Sequence, residues 1–535
     1  MSGKNDQNAK NGADREELAI DVEDLEDLDD IKDPDDPDDP DDAEEGARRA
    51  GRRGKRRSRT RWVGPRKRWV PIAVLVVVAI GSAALTWLLT TIFEHKQEAK
   101  SPFAQTVQLT DTTYDPAVWG ENFPIEYEQY KKTAEDTDGD FVKVDPTADD
   151  PREYHTISRI DSETRAQKMW RGYAFAVDYD EPRGHEWALQ DQRYTERTAA
   201  RFKQPGTCLN CHASMPQVYD ELGDGDRQAG FDALNAMSYD DAYEHASSSI
   251  ACIDCHDPQT MELKITRPAF MEGIRQAKAA EGIADYDVNR DATNQEMRTY
   301  VCAQCHVEYY FAGEGKTLTF PWKNGLTVYD EMNYYDEVGW TDFTHEESGA
   351  PVLKAQHPDF ETWSQGIHAA NGVTCADCHM SYNREGAAKV SNHQIMSPMA
   401  NDDTINSSCL TCHHSTADEM RERVEGIQNR WQSSLDVSFT ALDALITDIT
   451  AAADDGTATE EQLTAARDYQ RKAQFVVDYS FSENGRGFHA PAYSISILNQ
   501  ATDWARSGQL ALRGVEVSND VGPAVPEQHM PSGSK

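Results

Sequence analysis

Cys208-Leu209-Asn210-Cys211-His212, Cys252-Ile253-Asp254-Cys255-His256, Cys302-Ala303-Gln304-Cys305-His306, Cys375-Ala376-Asp377-Cys378-His379 and Cys409-Leu410-Thr411-Cys412-His413 use all ten cysteines of the chain. Each is Cys-x-x-Cys-His, the attachment pattern of a c-type haem. Two thiols three residues apart lie on about one helical turn, so each can form a thioether to a haem vinyl group. The next residue then turns its imidazole towards the iron as proximal ligand. Zinc ribbons, disulfides and redox dithiols also pair cysteines, but none demands a histidine after every pair. Five covalently bound haem c groups are expected. The fold class that follows is mainly α: a multihaem cytochrome c with a haem-packed core, little sheet and long C-terminal helices.

Outward from the motifs, residues 151–417 form the pentahaem region. Residues 94–150 are polar, rich in Asp, Thr and Pro, and read as an extended lead-in. Residues 418–515 are helical: Met420, Val424, Ile427, Trp431, Leu435, Phe439, Leu442, Ile446 and Ile449 recur at steps of three or four. Asp454-Asp455-Gly456 ends that helix. A second is expected over about 459–479 and a third over about 495–512. Their apolar faces suit either core packing or a subunit interface, and the second reading gives a homodimer through these helices. Residues 516–535 read as a loose tail.

The N-terminal part differs in kind. Residues 1–47 form an acidic tail, with the repeat Asp33-Pro34-Asp35-Asp36-Pro37-Asp38-Asp39-Pro40, and cannot bury enough apolar surface to order themselves. Residues 48–68 are a basic juxtamembrane segment. Residues 69–93 carry no charge, and as a helix would run roughly 37 Å, enough to span a bilayer. A cleaved signal peptide would be shorter and nearer the start. By the positive-inside rule the expectation is a single-pass membrane anchor, cytoplasmic N-terminus and a haem domain on the extracytoplasmic side. Residues after Phe93 hold 37 basic against 73 acidic side chains, a net −36, which argues against nucleic acid as a partner.

Sixteen histidines are present and five follow the cysteine pairs. A pure electron wire needs five more as distal ligands. Eleven remain: His95, His155, His185, His245, His345, His357, His368, His393, His414, His489 and His529. Counting alone does not choose among them, and a lone histidine is more often a surface or hydrogen-bonded residue.

The residues around the motifs resemble the ammonia-forming cytochrome c nitrite reductases, the pentahaem catalytic subunit, over roughly residues 150–500. Trp170-Arg171-Gly172-Tyr173-Ala174-Phe175 and Arg183-Gly184-His185 look like the segment before the family's first haem. Glu196-Arg197-Thr198 matches its active-site arginine, and Cys305-His306-Val307-Glu308-Tyr309-Tyr310 its calcium glutamate and catalytic tyrosine. Lys354-Ala355-Gln356-His357-Pro358 matches the calcium and active-site histidine stretch, and Gly487-Phe488-His489-Ala490-Pro491 a distal-ligand segment. The resemblance implies an open catalytic haem at the first motif. It implies His393 distal to the second haem, His185 to the third, His489 to the fourth and His368 to the fifth. Many members carry lysine as proximal ligand of the catalytic haem; His212 stands there in this chain.

The implied activity is six-electron reduction of nitrite to ammonium, with Arg197, Tyr309 and His357 acting on the substrate. A Ca2+ ion would take side-chain oxygens from Glu308 and Gln356 and backbone carbonyls from Tyr309 and Lys354. The family's common electron donor is a small tetrahaem quinol dehydrogenase subunit, although this chain's own anchor admits other donors. By spacing alone, Arg197 reads as a haem-propionate partner, Tyr309 as core, and Glu308 and Gln356 as surface residues. Two rival functions stay open: a pentahaem conduit using His155, His245, His345 or His414 as a fifth distal ligand, and a related hydroxylamine- or sulfite-reducing cytochrome.

Overall fold

Each attachment motif is built on a helical turn, as its spacing requires. The first spans Gly206–Cys208 and Leu209–His212, and the second starts on Cys252–Asp254. The third closes the helix Asn294–Ala303, the fourth fills Cys375–His379 and the fifth starts on Cys409–Thr411. Thr293 and Thr374 cap their helices reciprocally with Glu296 and Asp377, which fixes where the cysteines begin.

The computed structural model describes residues 80–82, 86, 105–135, 141–148, 150–180, 183–198, 204–386, 388–515 and 517. The chain divides into residues 1–101 and 102–535. In the first unit, residues 80–82 and 86 are helical. The acidic tail 1–47, the basic segment 48–68 and the rest of 69–93 lie outside the described residues, as does the tail 516–535 apart from Val517. No helix among the described residues is long and apolar enough to cross a membrane.

The second unit is mainly helical. Among its described residues the sheet amounts to four two-stranded antiparallel ladders, such as Tyr310–Ala312 with Thr317–Thr319. Three long helices follow the motifs: α1 (Ala417–Asp454), α2 (Glu460–Ser482) and α3 (Pro491–Ala511). Thr416 and Thr459 cap the first two. The expected stripe of α1 is buried, with Ile427 half-buried at its edge. The third helix starts four residues early because Pro491, with its fixed φ, occupies the first turn. Buried on most of its circumference, α2 runs through the middle of the core shared with α1 and α3.

The segment 94–150 departs from the extended form expected. Helices Pro116–Gly120 and Pro124–Lys131 fold there, the first capped by Asp115, whose carboxylate accepts from Ala117 N at 2.8 Å. Trp119 is the cause: with Leu109 it buries against Ala251 and Ile253 beside the second motif. One large side chain anchors a stretch whose average composition is polar.

Candidate haem and catalytic site

The fold brings the motifs side by side. Cys211 lies against Cys305, and Cys302 against Cys375. Cys255 neighbours Cys302, and Cys378 neighbours Cys409. The third motif therefore borders the first, second and fourth, and the fourth borders the fifth.

Histidines stand opposite these motifs in pairs. Ring centres are 6.2 Å apart for His256 and His393, 6.3 Å for His379 and His489, and 6.3 Å for His368 and His413. Two imidazoles trans on one metal, with bonds of about 2 Å each, put their ring centres about 6 Å apart. The three pairs thus fit a six-coordinate iron between them. His185 lies near His306, the remaining expected pair.

Around His212 the arrangement differs. His212 lines a cavity with Cys208, Arg197, Tyr309 and His357. Arg197 comes from the turn after the helix Ala188–Tyr194, where Thr198 Oγ1 donates to Gln192 O at 2.5 Å. Its guanidinium lies 4.5 Å from the Phe175 ring and 5.3 Å from Tyr179, and its Nη1 is buried without a hydrogen-bond partner. The family-like stretch 170–175 is the source of that aromatic wall: Tyr173 stacks between Phe175 and Phe343. Tyr309 stacks on Phe311. Burial pushes the His357 imidazole down to about 3, so it is neutral.

Among the described residues, none of His155, His245, His345 and His414 lines this cavity. His345 is a satisfied core residue: its Nε2 donates to Lys168 O at 2.9 Å and its Nδ1 accepts from Glu347 and Ser348 N–H. His155 lies 3.2 Å from Asp150, and His245 3.8 Å from Glu221. His414 is exposed.

Glu308 and Gln356 are buried, so the surface reading that spacing alone allowed is corrected. Glu308 Oε2 accepts from Gln356 N at 2.6 Å, Oε1 accepts from Tyr335 at 2.8 Å, and Gln356 Nε2 donates to Lys354 O at 3.3 Å. The Glu308 carboxylate, the Gln356 amide and the Lys354 carbonyl lie together, with the amide nitrogen turned onto that carbonyl; oxygens of these kinds are the ligands a hard cation takes. The Lys354 side chain points away, 3.0 Å from Asp478 on α2 with both groups fully buried, so only its carbonyl is left for an ion. Trp170 Nε1, Ala355 N and Ser482 also donate to Asp478. Nothing in the sequence marks Asp478, which reads as a polar residue on an amphipathic helix.

The family model for cytochrome c552 matches residues 115–534, which contain all five motifs. Cytochrome c-552 of Parabacteroides distasonis is 39% identical over 400 residues, covering 73% of this chain and 74% of its own length. That of Porphyromonas gingivalis is 36% identical over 437 residues, 80% of each chain. Among solved structures, the catalytic subunit of cytochrome c nitrite reductase from Desulfovibrio desulfuricans, described with two calcium sites, aligns with a TM-score of 0.64 at 28% identity. The alignment covers 76% of this chain and 88% of that one. The chain belongs to the cytochrome c552 family.

Proposed function

We propose that this protein reduces nitrite to ammonium, taking up six electrons and eight protons and releasing two waters per nitrite. The observation that carries the reading is the cavity at His212, lined also by Tyr309, His357 and Arg197, whose Nη1 is buried without a hydrogen-bond partner. The likeness to a cytochrome c nitrite reductase supports it. Haem iron held by Cys208, Cys211 and His212 would supply the point of attachment for nitrite and the outlet for electrons.

Arg197 offers a fork of donors to the nitrite oxygens. His357 hydrogen-bonds the same oxygens and passes protons as the N–O bonds break. Tyr309 donates a third hydrogen bond. Donors already in place as charge develops on oxygen cost no reorganisation. Glu308, Gln356 and the carbonyls of Tyr309 and Lys354 would hold Ca2+, which would tie the Tyr309 and His357 loops together. Haems held by the second, fourth and fifth motifs would supply electrons by way of the third, whose cysteines border those of the first. Residues 69–93 anchor the protein in the cell membrane with the haem region outside. A membrane quinol dehydrogenase subunit suits as donor, and the C-terminal helices as homodimer interface.

The test is steady-state turnover of nitrite by purified protein with dithionite-reduced viologen, with ammonium quantified. Stoichiometric ammonium is expected, and one haem of five should be high-spin or water-ligated in the oxidised EPR spectrum. Five low-spin haems and no ammonium would make the protein a conduit.

A further inference from the structure

Six of the nine histidines expected to bind iron have a polar group behind Nδ1, and these groups are of two kinds. Backbone carbonyls lie 3.3 Å from His212 Nδ1 (Ala188), 3.0 Å from His256 (Met261), 3.1 Å from His379 (Met396) and 2.9 Å from His393 (Ser391). Carboxylates take their place at two others. His306 Nδ1 hydrogen-bonds Asp359 Oδ2 at 3.1 Å, and His489 Nδ1 meets Glu483 Oε1 at 2.5 Å as a close ion-pair contact outside hydrogen-bond geometry.

Both carboxylates are buried and held. Asn484 donates to Asp359 through its backbone N–H at 2.8 Å and its side-chain amide at 2.7 Å. Gly485 and Gly487 N–H donate to the two oxygens of Glu483 at 2.8 and 3.0 Å. A Cβ on Gly485 would stand 2.5 Å from Glu483 Oε1 and 2.7 Å from His489 Nδ1, so this close approach requires glycine. One loop after α2, residues 483–489, therefore organises both pairs. Ligand-type atoms of Asp359, Glu483 and His489 all lie within 4.8 Å of one another.

We propose that Asp359 and Glu483 are positioning residues that make His306 and His489 stronger donors to iron than the carbonyl-held histidines, lowering the reduction potentials of the third-motif and fourth-motif haems. An anion that draws the Nδ1 proton pushes electron density onto Nε2 and favours the oxidised iron. The inference rests on His306 and His489 being axial ligands, and not on nitrite being the substrate. Its consequence is directional. The third motif borders the first, so a low potential there favours onward transfer into the His212 cavity.

The test uses the full holoprotein with Asp359→Asn and Glu483→Gln, haem content by pyridine haemochrome, and redox titration followed optically and by EPR. Each variant should keep five haems. In each, one low-spin haem should show a reduced-to-oxidised ratio about tenfold higher at fixed potential, which is about 59 mV for one electron, with altered g-values. Asp359→Glu and Glu483→Asp should restore part of the shift. Asn484→Ala, which loosens Asp359 but keeps its charge, should give a smaller shift of the same sign. Unchanged potentials with all haems retained overturn the proposal. Where a variant loses its haem, unchanged potentials in Asn484→Ala and the conservative variants do the same. Shifted potentials in a protein that makes no ammonium would sink the nitrite reading and leave this one standing.

Discussion

At the second motif His256 looks across 6.2 Å, ring to ring, at His393; at the first, His212 shares its cavity with Arg197, Tyr309 and His357. The attachment peptides are the same five-residue pattern, each on a helical turn. What separates the two regions is the chain far away in sequence that folds over the other side. A trailing segment delivers an imidazole to one. To the other come an arginine from before the motif and a tyrosine and histidine from well after it. The motif attaches the haem, and the opposite face decides between relay and chemistry.

The contrast breaks most visibly on the cavity side. Arg197→Ala and His357→Ala should each lower nitrite turnover by roughly a hundredfold to a thousandfold, the effect of removing a donor aimed at developing charge. Five haems and an unchanged low-spin EPR signal should remain. A lost low-spin haem in His357→Ala with turnover intact would make His357 an axial ligand. Full turnover in Arg197→Ala would return the arginine to a propionate. On the other side, replacing His185, His368, His393 or His489 with alanine should convert one low-spin haem to high-spin, read by EPR and the optical spectrum, and slow electron delivery without altering how nitrite binds.

How far the sequence carries is plain from particular residues. The cysteine pairs and the α1 stripe from Met420 to Ile449 are local patterns, and they folded where periodicity put them. His393, His489 and His368 stand opposite the motifs that family resemblance assigned them, which spacing alone could not have chosen. Lost to the sequence were the groups whose meaning is their depth. Asp478, Asp359 and Glu483 look like ordinary surface acids until the fold places them against a buried lysine or an imidazole. Trp119 likewise turned a polar stretch into helices by finding a core from elsewhere in the chain.

The Lys354–Asp478 pair sharpens the comparison, because it braces the stretch that carries Gln356 and His357. Asp478 ties the stretch 354–357 to α2, whereas the facing histidine pairs do not touch it. Asp478→Ala would strand a buried ammonium, and a broken buried pair costs about 3–5 kcal/mol. Chemical denaturation followed by far-UV circular dichroism should show that loss. At temperatures where the variant stays folded, turnover should fall while the low-spin haem count holds. A matching drop in the low-spin count would mean the brace serves the wire as well.

The smallest effect belongs to His345, and it asks whether a buried histidine in a haem protein must be a ligand. Its side chain is fully buried and both ring nitrogens are used, one donating to Lys168 O and the other accepting from two backbone N–H groups. No lone pair is left for iron. His345→Gln keeps a donor and an acceptor but not their geometry, so stability should fall by about 1–3 kcal/mol, the cost of a poorly satisfied buried polar group. Haem content, the low-spin EPR signal and nitrite turnover should match the parent protein. A single haem changing spin state in this variant would identify His345 as a distal ligand. It would then fill the position over the first haem that Arg197, Tyr309 and His357 otherwise surround, and turn the protein from an enzyme into a conduit.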